Sequence, residues 1–276
     1  MTSVLMCPPA YYTVRDVKNP FMRDALAVDR ECAARQWEAV REAFARAGVA
    51  TLTIDPVEDF EDMVFAANQV FVGRGARHPR FIVPSRMRYA SREREVPYYV
   101  AWFARRGFDV VDLQLDASAG EFLEGHGDLI WHPGAPRVWA GFGFRSSKAG
   151  VERFAGAMES ERIEVIPLEL IDPTFYHLDT CFATLNADAA LIYPGAFAPE
   201  SLELLRANWR LHEMTKADAL QFACNGVVAN GYFIAGHVSP WLEGVLASEG
   251  LRPAIVDTSE FEKAGGSVFC MKTFVD

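Results

Sequence analysis

Apolar positions follow two periods along this chain. Between residues 29 and 47, Trp37, Val40, Phe44 and Ala47 recur at helical spacing, and Gly48 supplies a stop at the helix end. The same period predicts helices over 96–106, 199–209 and 241–248, with a short helical turn at 261–263. Short apolar runs predict strands at 4–6, 49–54, 63–72 with Asn68 at its centre, 81–83, 108–113, 164–170, 189–193, 253–257 and 268–275. Hairpins are predicted over 122–144, turning at His132-Pro133-Gly134, and over 226–235, turning at Asn230-Gly231. Helices and strands alternate with no long linker, which predicts one α/β domain over 1–276. Strand pairs often precede a helix, unlike a simple β-α-β-α repeat, yet the letters themselves show no clear repeat.

Charge and composition narrow the function. The chain has 276 residues, is 50% apolar and carries a net charge of −10. An acidic balance argues against nucleic acid, which selects a basic face. No stretch approaches a transmembrane span, and the amino terminus has neither a basic region nor a long apolar core, so no membrane partner is expected. The five cysteines, Cys7, Cys32, Cys181, Cys224 and Cys270, are odd in number and widely spaced. That favours reduced thiols in the cytoplasm over disulfides or a zinc cluster. No G-x-G-x-x-G follows a strand and no phosphate-cradling loop is present, so no nucleotide cofactor is expected. His126 and His132 stand six apart across glycines, which fits no common metal-ligand pattern.

Three polar islands sit within apolar flanks. Glu124 and Asp128 straddle two glycines, a pattern that taken alone favours an acidic turn over a site. His177 and Asp179 share a face if residues 175–182 form a strand. They then either pair structurally or face a site. Cys270 follows Gly265-Gly266 in the final apolar run, where this segment alone favours a small buried hydrophobe over an aimed thiol. A thiol, an imidazole to activate it and a carboxylate to orient the imidazole would make a nucleophilic triad.

Four segments carry a family resemblance: residues 63–68 ending at Asn68, Phe122-Leu123-Glu124-Gly125-His126-Gly127-Asp128, His177-Leu178-Asp179-Thr180, and Gly265-Gly266-Ser267-Val268-Phe269-Cys270. In order and spacing the chain resembles the amidinotransferase and arginine-modifying hydrolase superfamily of deiminases, dimethylargininases, amidinotransferases and arginine dihydrolases. Cys7-Pro8-Pro9, Asn19-Pro20-Phe21 and Phe222-Ala223-Cys224-Asn225 are most similar to the bacterial dihydrolase branch. The resemblance implies a five-bladed pseudo-symmetric α/β propeller, or pentein, of β-β-α-β units around a central active site. It implies Cys270 as nucleophile, His177 as general acid/base and Glu124 as the carboxylate that orients His177 or helps hold the guanidinium. Asp179 and Asp62 match substrate-binding acids, and Arg145 matches an arginine for the substrate carboxylate, with Arg92 as its looser partner. Deiminases carry Asp where this chain has Asn68, the residue of the dihydrolase branch; Ala66 replaces a common Thr. The implied activity is hydrolysis of arginine or a close analogue through a covalent thiouronium. Dimethylarginine hydrolysis and amidino transfer are the alternatives. No metal or organic cofactor is implied, the implied partner is a small guanidino compound, and a homo-oligomer stays open.

Overall fold

Among the described residues, fifteen short strands follow one repeating plan. In chain order they are β1 (Ser3–Met6), β2 (Ala50–Thr53), β3 (Val70–Gly73), β4 (Phe81–Pro84), β5 (Asp109–Val110), β6 (Leu129–Trp131), β7 (Arg137–Phe142), β8 (Glu164–Glu169), β9 (Phe182–Thr184), β10 (Ala189–Ile192), β11 (Arg210–Glu213), β12 (Val227–Ala229), β13 (Tyr232–Ala235), β14 (Arg252–Ile255) and β15 (Lys272–Phe274). This computed structural model describes residues 2–23 and 27–275; Met1, where the reading of the amino terminus begins, lies outside them.

The strands form five three-stranded sheets: β3-β4-β5, β6-β7-β8, β9-β10-β11, β12-β13-β14 and β15-β1-β2. In each, an antiparallel pair is joined by a parallel third strand. A helix makes each parallel crossover, as parallel pairing requires. These are Arg30–Arg46, Val96–Ala104, Lys148–Glu159, Pro199–Asn208 and Pro240–Ser248. Side chains start three of them: Asp29, Ser147 and Ser239 accept from the backbone N–H groups of Cys32, Gly150 and Leu242. Gly48, at φ +71°, ends the first.

The fifth sheet joins the two ends of the chain, with Val4 opposite Phe274 and Met6 opposite Lys272. The fold is the five-bladed α/β propeller, and its β-β-α-β plan is the one implied above. Burial orders each blade. All four residues of the middle strands β1 and β10 are buried, while the third strands β2, β11 and β14 expose both end residues. Apolar packing runs between blades: Trp139 of β7, Phe182 of β9, Leu191 of β10 and Phe233 of β13 share one cluster. Among the described residues, no helix is long and apolar enough to cross a membrane.

Three predicted strands are corrected. Of residues 63–72 only Val70–Gly73 is strand. Residues 175–182 hold a short 3₁₀ turn, Leu178–Thr180, with His177 at its start. Of 268–275 only Lys272–Phe274 is strand, so Cys270 lies in the turn before it. All three runs are buried loops at the centre of the ring. Burial on every side keeps them apolar, and an apolar run cannot by itself distinguish strand from buried loop.

Candidate active site

Each blade's first strand is preceded by a loop, and the five loops are stitched into a ring. Ala67 N–H donates to the Cys270 carbonyl at 3.1 Å, and His126 N–H to the Ala67 carbonyl at 2.8 Å. Leu178 N–H donates to Asp128 Oδ1 at 3.0 Å. Asn225 Nδ2 donates to the Asp179 carbonyl at 3.0 Å, and Phe269 N–H closes the ring on the Asn225 carbonyl at 2.9 Å. Residues more than two hundred positions apart thereby gain fixed relative positions. A narrow cavity opens among these loops, lined in part by Asp62, Asn68, Arg92, Arg145, His177 and Cys270.

Asn225 fixes the thiol. Its Oδ1 accepts from the N–H groups of Ser267 (2.9 Å) and Cys270 (3.2 Å), and its Nδ2 also lies 3.2 Å from Cys270 Sγ. The thiol donates to Asp179 Oδ2 at 3.0 Å. Burial, then the Asp179 charge, push the Cys270 thiol well above the ordinary thiol range. Burial likewise raises Asp179, to about 7, although the thiol's hydrogen bond opposes it. The pair therefore holds its proton near neutrality.

His177 Nε2 meets Glu124 Oε2 at 2.8 Å. Burial disfavours the Glu124 charge, but Arg145 and His177 outweigh it and hold the carboxyl well below the usual range. A carboxylate only accepts, so Nε2 carries the proton and Nδ1 keeps the lone pair. Arg145 donates to the same Glu124 oxygen at 3.0 Å and to the Lys18 carbonyl at 3.0 Å. Its guanidinium lies between the rings of Tyr89 (4.8 Å) and Tyr176 (4.6 Å).

Asp128 braces the same group from below. Its Oδ2 accepts from Ser146 Oγ (2.6 Å) and N–H (3.1 Å), and Ser146 Oγ in turn accepts from Glu124 N–H at 3.0 Å. Burial raises Asp128 to about 6. His126 is structural: its Nε2 accepts from Val72 N–H at 3.0 Å and its Nδ1–H donates to the Leu129 carbonyl at 3.0 Å. No group of three or more His, Cys, Asp or Glu among the described residues could hold a metal.

The acids and amide opposite are less satisfied. Lys18 Nζ lies 3.0 Å from Asp62 Oδ2, yet neither Asp62 oxygen receives a hydrogen bond. Asn68 Oδ1 accepts from Arg92 at 3.0 Å, which leaves its Nδ2 without an acceptor. Arg92 also reaches the carbonyls of Asp62 and Phe65 and the Glu95 carboxylate, so its terminal nitrogens are occupied by protein. The ring thus gathers all eight residues named from the sequence. Sequence reasoning missed Lys18 and the role of Asn225. Nothing about a single lysine in a loop marks it, whereas Asn225 stood in a quoted motif without a function.

Comparison with known proteins places this geometry. The bifunctional arginine dihydrolase/ornithine cyclodeaminase ArgZ of Synechocystis is 35% identical over 97% of this chain, and the chain spans 37% of that protein's length. The N(G),N(G)-dimethylarginine dimethylaminohydrolase of Mycobacterium tuberculosis is 32% identical, covering 96% of this chain and 83% of that one. The N-terminal domain of ArgZ, solved as an asparagine-to-serine variant covalently bound to a reaction intermediate, superimposes with a TM-score of 0.91 at 32% identity, over 100% of this chain and 98% of that one. The profile of the eukaryotic N,N-dimethylarginine dimethylhydrolase family matches residues 9–274, and the chain belongs to that family.

Proposed function

We propose that this chain is a cysteine-dependent hydrolase of the guanidinium group of arginine or a close analogue, carrying the reaction through to ornithine. The observation that supports it is a set of buried atoms that no protein donor or acceptor reaches, Oδ1 of Asp62, Oδ1 of Asp179 and Nδ2 of Asn68, beside an Asp62 Oδ2 held only by the Lys18 ion pair. Each such atom left bare costs about 1–3 kcal/mol. A planar guanidinium brings donors for the two bare oxygens and a fixed plane against the thiol. Asn68 Nδ2 is a donor, and it suits the ureido oxygen that appears after one hydrolysis. An aspartate there would have no proton to give.

As the cation enters, it stabilises the Cys270 thiolate, and the thiol proton passes, through Asp179 or water, to Nδ1 of His177. Sulfur bonds to Cζ, and a tetrahedral adduct forms. His177 protonates the leaving amine, and ammonia departs. Water activated by His177 then breaks the S–C bond of the thiouronium, giving a ureido product. A second passage releases ornithine, carbon dioxide and a second ammonia, so two waters are consumed per arginine. Glu124 keeps the His177 tautomer fixed throughout. Arg92 acts by orienting the Asn68 amide, and Arg145 offers its charge to the substrate carboxylate while supporting Glu124. The five unpaired cysteines suit a reducing compartment such as the cytoplasm.

The family match favours dimethylarginine as a second reading. Mass spectrometry of products from arginine, citrulline and dimethylarginine separates the two. Ornithine from arginine supports two hydrolyses; turnover of dimethylarginine alone would replace the proposal. Adding glycine or another amine tests for amidino transfer. Cys270→Ser should lower turnover by at least about 10⁴-fold with an unchanged circular-dichroism spectrum, as loss of a covalent nucleophile does. Near-normal turnover by that variant would remove the thiol from the reaction.

A further inference from the structure

The five first strands run away from the catalytic loops towards a second, larger cavity of about 910 Å³. Its wall includes residues of all five: Val72 of β3, Ile130 of β6, Ala183 of β9, Val228 of β12 and Phe274 of β15. It is therefore the other mouth of the channel, and it opens away from Asp62, Asn68 and His177.

Lys272 reaches into this mouth. It begins β15, two residues beyond Cys270, and is 1% exposed. Its Nζ lies 3.3 Å from the Phe269 ring centroid and 4.9 Å from that of Phe274. Among the described residues no acceptor hydrogen-bonds it and no carboxylate pairs with it. Buried ammonium groups need such a partner. Burial pushes Lys272 down to about 7, although Asp179 and Cys270 oppose the fall.

The lining is mostly apolar, and none of its described residues is Asp or Glu, in a chain of net charge −10. Arg74 adds a second cationic side chain to the wall. The nearby His126 ring is already satisfied at both nitrogens and competes for nothing. A large apolar hollow with a few convergent polar groups is the usual form of a small-molecule site. Asp179 acts on the Lys272 amine only from beyond ion-pair distance, and an amine that no anion among the described residues touches specifies the charge of the partner it would take.

We propose that this mouth is a second binding site, separate from the catalytic pocket, for a small organic monocarboxylate: its carboxylate pairs with Lys272 and its apolar body fills the space between the first strands. Calorimetric titration of the whole chain with octanoate, octan-1-ol, octylammonium and inorganic phosphate at constant ionic strength tests it. Octanoate should bind at least tenfold more tightly than the other three. Lys272→Met should weaken octanoate at least tenfold and leave octan-1-ol unchanged. Val228→Trp, which fills the hollow from β12, should abolish octanoate binding with the circular-dichroism spectrum retained. Equal binding of octanoate and octan-1-ol, equal binding of phosphate, no binding of octanoate, or octanoate affinity kept by either variant would overturn the proposal.

Discussion

Cys270, Asp179 and Asn225 form a unit in which burial and function conflict. Asp179 is fully buried, and the hydrogen bonds it receives do not fully offset its desolvation, so its folded value of about 7 lies above the roughly 3.9 of an unfolded aspartate. Between those values the folded chain holds a proton that the unfolded chain has lost. Stability therefore falls as pH rises through that window, and the full penalty is present above pH 7. Asparagine carries no such penalty. Asp179→Asn should raise stability by about 1–3 kcal/mol at pH 8.5, with the gain shrinking towards pH 5, and should lower turnover sharply. Denaturant titrations at the two pH values check the first, and steady-state rates the second. A gain that grew towards pH 5 would contradict the charge argument. None of this was legible from residues alone. Composition offered Cys270 as an ordinary buried hydrophobe, and only the resemblance joined it to His177 and Glu124. The Asn225 clamp needed coordinates, because its four contacts reach two other loops.

At the scale of elements, the loop before each first strand matters more than the strand. Helices and middle strands were legible in the pattern because each buries one face or both in a regular period. The inner loops were not, because they are apolar for a different reason: the ring encloses them. Glycines make that enclosure workable. In the turn Gly125–Asp128, an added Cβ at Gly127 would lie 2.2 Å from Asn68 Nδ2 and 3.2 Å from the His177 ring. Two functional side chains from neighbouring blades therefore close over one missing methyl. Gly127→Ala should displace Asn68 and His177 together. Turnover should fall by about 10²-fold or more, while overpacking costs about 1–3 kcal/mol of stability. Rate measurements with a parallel melting curve check this, and near-normal turnover would show that the two side chains have room to yield. The null effect would also weaken the claim that Asn68 acts through its amide position.

The whole molecule is a closed ring, and closure depends on its two ends. β15 supplies the first strand of the blade whose other strands are β1 and β2, so the turn that carries Cys270 is held in place by pairing with the amino-terminal strand. Apolar clusters cross from blade to blade and leave none of the five with a core of its own. A three-stranded blade with one helix is in any case too small to be stable alone. We propose from this that the chain folds as one domain and that blades do not unfold independently, although open repeat arrays can do so. Far-ultraviolet circular dichroism and tryptophan fluorescence should then report a single coincident urea transition. Weakening the closure, for example with Leu5→Ala, should shift both probes equally and cost about 2–5 kcal/mol, since Leu5 is fully buried opposite Thr273. Two separated transitions, or a shift seen by one probe alone, would show that the ring opens in parts. The catalytic ring of loops would then form and break separately from the rest, and activity would disappear at a lower urea concentration than the far-ultraviolet signal.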